Sequence, residues 1–210
     1  MLVRKEYIDQ ITDALSILAH KVEISTKLNL TDINIAGEDF YKDLLNLSLG
    51  YKLQNINEIN PNAAAIDLGC TVNRIAIQVT STSALKKTRE TVEKFIGKEF
   101  HKEYDRLIIF NLVKVTKHND THVGEKGVYQ LNTSDDMWDY TDFARMIVGK
   151  DLELLKSVVE FLQEQLKISP PEPIPKEVKT VVALIDHLSN CENEESGSSF
   201  IEKPDPKGKI

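Results

Sequence analysis

Apolar residues recur every three or four positions at the start of the chain: Leu2, Ile8, Ile11, Leu15, Leu18 and Val22. That period places them on one side of a helix and predicts an amphipathic helix over residues 2–27. Asn29–Ala36 reads as a loop. A second helix is expected from Gly37 to Leu49, with Phe40, Leu44 and Leu45 inward and Gly50 ending it. The texture then shortens. Tyr51–Asn57, Ala63–Leu68 and Arg74–Thr80 read as strands, and GCTVN between the last two reads as the turn of a hairpin. Ser83–Ile96 is helical again, with Leu85, Val92, Phe95 and Ile96 apolar. RLIIFNLV, residues 106–113, is a nearly continuous apolar run that suits a strand buried on both faces. Residues 117–126 form a polar loop, and residues 127–131 a further short strand.

After Asp136, MWDYTDFARMIVG and DLELLKSVVEFLQEQLKI read as two helices. The second carries a stripe of Leu152, Leu155, Val158, Val159, Leu162 and Leu166. Trp138 is expected to anchor the first to the sheet domain. SPPEPIP, residues 169–175, is a stiff linker, Lys176–Asn190 another amphipathic helix, and residues 192–210 a loose polar tail. The organisation expected is an α/β domain over residues 1–132, a helical extension over 133–168, and a linker, short helix and tail over 169–210. The order of elements gives a small mixed sheet with helices on its faces.

Composition changes this picture little. The chain is 41% hydrophobic and 28% charged, which excludes wholesale disorder and fibrous repeats. The net charge of −7 is unevenly spread. Residues 1–132 carry 17 basic and 17 acidic side chains, whereas residues 133–200 carry 6 and 14. An acidic chain is a poor generic coat for DNA, yet a neutral N-terminal part leaves room for a basic groove. No run of about 18 apolar residues is present, so no membrane span is expected. The N-terminus lacks the apolar core of a signal peptide. Cys70 and Cys191 are far apart and form neither a disulfide framework nor a zinc knuckle, so a reducing cytoplasm is the expected setting.

One group of residues suggests chemistry. Glu38 and Asp39 open the second helix, Asp67 closes AAAID, and Gln78 and Thr80 lie in IAIQVTS. Residues two apart on a strand share a face, so Gln78 and Thr80 point together, and a hairpin brings Asp67 beside them. Each residue also has a plain alternative. Acids at a helix start favour the macrodipole. An Asp at a strand end often shapes a turn. Thr is a good strand former. Gln78, in an otherwise apolar strand, needs a hydrogen-bond partner in any case. The basic run Lys86, Lys87, Arg89, Lys94, Lys98 and Lys102 is interleaved with five acids between residues 81 and 106, as on a solvated helix face; a phosphate-contacting face is the sharper reading. His118 and His122 have metal-ligand spacing but lie in a loop-like stretch, KHNDTHVGEKG.

An acid on a helix, an Asp on one strand and a polar pair on the next resembles the restriction-endonuclease-like PD-(D/E)XK nucleases. GEDFYKDLLNLSLGY, AIDLG and IAIQVTS resemble the Mrr-type branch most, where Gln replaces the last acid. AGEDFYKDLLNL, NPNAAAIDLG, RIAIQVTS and MWDYTDFARMI, together with the opening helix, are similar to SMEK domain proteins over roughly residues 1–168. These are N-terminal modules of bacterial proteins linked to conflict or antiphage systems.

The resemblance implies a restriction-endonuclease-like mixed sheet flanked by helices and a site for Mg²⁺. Asp67, Gln78 and one of Glu38 or Asp39 would be its ligands, set against a phosphodiester of DNA or RNA. Thr80 stands where the nuclease pattern carries Lys, so Lys86 or Lys87 would supply the cation, or the module would bind without cutting. The partners implied are nucleic acid or other components of a defence system. The stripes at residues 2–27 and 152–166 serve either a homodimer or the domain's own core.

Overall fold

The structure is a computed structural model, and it describes residues 2–30, 32–59, 65–115 and 121–167. Two long helices, α1 (Val3–Lys27) and α2 (Asp32–Leu49), precede a short strand β1 (Gln54–Asn55) and one helical turn α3 (Ile56–Ile59). The strands β2 (Leu68–Cys70) and β3 (Ile75–Thr80) lead to α4 (Leu85–Gly97), a 3-10 turn at Phe100–Lys102, and β4 (Arg106–Asn111). A ribbon of β5 (His122–Glu125) and β6 (Tyr129–Asn132) follows. The short α5 (Thr133–Asp136), β7 (Met137–Trp138), α6 (Tyr140–Ile147) and α7 (Leu152–Leu166) complete the described part.

The main sheet runs in the order β1-β2-β3-β4-β7. β1, β2 and β3 pair antiparallel; β3–β4 and β4–β7 pair parallel. The parallel step is what α4 makes possible, since parallel neighbours need a crossover. Side chains on β3 and β4 alternate between two cores. Ile77, Val79, Ile108 and Phe110 meet α1, α2, α6 and α7 on one face. Ala76, Leu107 and Ile109 meet Val92 and Phe95 of α4, with Val123 and Leu131 of the ribbon, on the other. This is a mixed α/β sheet flanked by helices, with a C-terminal helix, as the order of elements predicts. The apolar stripes of α1 and α7 share one core, through Ile11, Leu15, Val22, Leu155, Val158 and Leu162.

Several boundaries differ from the sequence expectation for identifiable reasons. α2 begins at Asp32, not at Gly37. Asn29 takes a left-handed conformation, φ 58°, and turns the chain within a few residues. Gly37 then lies inside the helix, where a Cβ would stand 3.1 Å from Leu112, so the glycine permits close packing and does not start the helix. The strand expected over Tyr51–Asn57 shrinks to two residues before α3. β2 begins at Leu68, although Asp67 already joins the ladder, its N–H donating to Ile77 O at 2.9 Å and its carbonyl accepting from Ile56 N at 2.7 Å. β5 lies within the stretch expected as a polar loop; only Val123 of its four residues is buried, too little to show as a period.

Trp138 is part of the sheet, as half of β7, where it was expected to begin a helix. Its Nε1 donates to Asp135 O at 2.7 Å, and the Arg106 guanidinium stacks 5.3 Å from its ring centroid. Residues 133–138 therefore belong with the strands, and Met1–Ile168 forms one compact unit. The Pro-rich linker, the helix expected at Lys176–Asn190 and the tail lie outside the described residues. No helix of the described residues is long and apolar enough to cross a membrane.

Candidate acid–amide site

Asp67 has its backbone fixed on both sides, by β1–α3 and by β3, so its side chain projects in one direction. Its Oδ2 accepts from Gln78 Nε2 at 2.5 Å and from Val79 N at 2.7 Å. Its Oδ1 accepts from Asn57 Nδ2 at 3.1 Å. The same Asn57 nitrogen donates to Glu38 Oε2 at 3.2 Å. Glu38 of α2, Asn57 of α3, Asp67 before β2 and Gln78 of β3 thus form one connected cluster.

The hairpin expected from the sequence supplies Asp67 and Gln78. The packing of α2 behind β1 supplies Glu38. Asp67 is only 8% exposed. Burial pushes its carboxyl up to about 6, and the negative charge of Glu38 adds to the rise. The Val79 N–H, the Asn57 amide and the positive charge of Lys87 pull the other way. Asp67 is thus a desolvated carboxylate beside a second acid, with amides as its hydrogen-bond partners.

Of the two candidate acids Glu38 and Asp39, only Glu38 faces Asp67. Asp39 turns to Lys42 Nζ at 2.8 Å and accepts from Asn55 Nδ2 at 3.3 Å. The Lys42 hydrogen bond holds the Asp39 carboxyl below its ordinary value against the effect of burial. Thr80 is buried beside Asn111 of β4, and its hydroxyl oxygen accepts from Thr82 N at 3.1 Å, which shapes the turn into α4. Lys86 is turned outward, its side chain 88% exposed and 4.0 Å from Glu90. Lys87 is the lysine whose charge reaches Asp67.

The sequence reading passed over Asn55 and Asn57. The signal was present in QNINEIN, where two asparagines alternate with isoleucines at the end of a strand, each needing partners of its own. His122 sits exposed on β5, and His118, its expected partner, lies outside the described residues.

Among the described residues no three His, Cys, Asp or Glu side chains come together to hold a metal ion. Two carboxylates converging on a single amide nitrogen nevertheless mark a point that favours positive charge. Glu38 and Asp67 are hard oxygen donors, and Gln78 and Asn57 turn their amide nitrogens to Asp67 and hold it in place. The two carboxylates fit Mg²⁺, which binds through one or two carboxylates and keeps several waters.

Comparison with protein families places a SMEK domain match at residues 10–148. No curated protein and no solved structure matches the chain significantly. The matched segment runs from α1 through α6 and includes Glu38, Asp67 and Gln78. It covers well over half of the sequence, and the chain therefore belongs to the SMEK domain family.

Proposed function

We propose that this protein is a nuclease-like module of a bacterial defence system, acting on the phosphodiester backbone of DNA or RNA with Mg²⁺. The observation that carries the proposal is the connected cluster in which Asn57 bridges Glu38 and Asp67 and Gln78 bonds the other oxygen of Asp67. A helix acid, a strand Asp and a polar residue of the adjacent strand are the parts that metal-dependent hydrolysis requires. Glu38 and Asp67 would be the anionic ligands. Gln78 orients Asp67, donating its amide to that carboxylate and to the Val79 carbonyl. Mg²⁺, when bound, lowers the pKa of a coordinated water and neutralises charge on the phosphate. Lys87 adds positive potential beside Asp67, the part Thr80 has no charge to play. The test is incubation of duplex DNA, single-stranded DNA and RNA with Mg²⁺ or Mn²⁺, for the wild type and for Asp67→Ala. Metal-dependent cleavage by the wild type alone supports the proposal, and equal absence in both defeats it.

A second reading is a non-catalytic binding module built on the same frame. What favours it is that both Asp67 oxygens already accept N–H groups and that the Thr80 oxygen is engaged in a turn. Capture of nucleic acid or of a partner protein, with no heat of Mg²⁺ or Mn²⁺ binding by calorimetry, selects this reading.

A further inference from the structure

We infer that Asn57 is the positioning residue of the acid–amide site: its amide fixes the separation of Glu38 and Asp67 and selects Glu38 over Asp39. The inference rests on the metal-dependent reading above. Glu38 is half-buried on a helix, and its charge repels that of Asp67. Left alone, its side chain would turn towards water. One nitrogen of Asn57 carries two N–H groups, and each serves a different carboxylate, at 3.2 and 3.1 Å. An Asp here would add a third negative charge. A Lys would neutralise the pair permanently. An Ala would release Glu38. Asn joins the acids and leaves their charge unspent.

The selection of Glu38 has its own mechanism. Asn55 Oδ1 accepts from Asn57 N at 3.0 Å, which fixes the turn between β1 and α3. Asn55 Nδ2 then donates to Asp39 Oδ1 and, with Lys42, holds that acid away. Two asparagines two residues apart therefore sort two adjacent acids, one inward and one outward. Ile56 N, between them, donates to the Asp67 carbonyl at 2.7 Å, so the sorting segment is tied to the residue it serves.

Calorimetric titration of the full chain with Mn²⁺ at neutral pH tests the role, with metal-free thermal unfolding recorded beside it. Asn57→Ala is expected to weaken Mn²⁺ binding about tenfold or more while the metal-free midpoint moves by only a few degrees. Asn57→Gln, which keeps both donors, is expected to recover part of the affinity. Should Asn57→Ala fail to fold, Asn57→Ser takes its place with the same expectation. Wild-type affinity in the variant, with Asp67→Asn abolishing binding, overturns the role of Asn57 and leaves the metal site standing. No Mn²⁺ uptake by the wild type overturns both.

Discussion

The Asp67 carboxylate lies 2.5 Å from the Gln78 amide nitrogen, across the hairpin that joins β2 and β3. The two residues are eleven apart in sequence, and their contact is a product of register. Leu68 pairs with Ile77, so the same register sets Asp67 opposite Gln78, and the Val79 N–H closes on the same oxygen. A slip of one residue would turn Gln78 to the opposite face.

Asp67 makes stability fall with rising pH. Its folded carboxyl is raised from 3.8 to about 6, so the fold prefers the protonated form. The stability this contributes is full below the unfolded value and is lost as pH rises through about 6. Compared with Asp67→Asn, the wild type is expected to lose about 3 kcal/mol across that window. Urea unfolding of both proteins at a series of pH values measures it; parallel curves would contradict the burial and charge assigned to this residue.

Lys86 and Lys87 are neighbours in sequence with different expected consequences. Lys87→Ala removes the positive charge that acts on Asp67, whereas Lys86→Ala removes an exposed side chain whose partner is Glu90. Under the proposed metal-dependent reading, a rate of phosphodiester cleavage lower by about tenfold or more is expected for Lys87→Ala alone. Equal effects of the two substitutions would assign the role to general basic charge on α4.

Gly69 lies two residues beyond Asp67 and has no room for a side chain. A Cβ there would stand 2.7 Å from the Tyr104 hydroxyl and 2.9 Å from Ile56. Tyr104 is 2% exposed and Ile56 packs in the same core, so neither yields easily. Gly69→Ala is expected to cost about 1–3 kcal/mol in denaturant unfolding. A neutral result would mean that α3 moves freely relative to β2.

Asp139 supports the opposite side of the sheet. Its side chain accepts from Thr141 N and Thr141 Oγ, from Asp142 N, and from Val115 N at 2.8 Å. Burial would raise its carboxyl, but these bonds outweigh that and hold it below 3.8. Asp139→Ala removes a helix cap and leaves a buried N–H without its acceptor, an expected loss of about 2–4 kcal/mol. The gap between wild type and variant is full above the ordinary carboxylate value and should narrow in strong acid as Asp139 protonates. Unfolding midpoints at neutral and strongly acidic pH check both the size and the sign.

The long periodic elements were legible from the sequence because each carries its own pattern. α1, α4, α7 and β4 lie within a few residues of where hydrophobic spacing puts them. The short elements were not. β1, β7 and α3 have two to four residues each, about one period and too short for a pattern to repeat, and their conformation is set by what they pair with. The site divides along the same line. Asp67 and Gln78 could be paired from a hairpin alone. The choice between Glu38 and Asp39 depends on Asn55 and Asn57, which sit in two of those short elements, β1 and α3, and no sequence period encodes it.

Family resemblance and folding do not end at the same residue. The SMEK match stops at residue 148, before α7 begins at Leu152. Yet Leu155, Val158 and Leu162 of α7 fill the same core as Ile11 and Leu15 of α1, and Gln163 donates to Gln10 at 3.1 Å. A fragment trimmed to the recognisable segment would strip one wall from its own interior and expose the greasy side of its first helix. The minimal piece worth expressing is therefore longer than the piece that homology outlines.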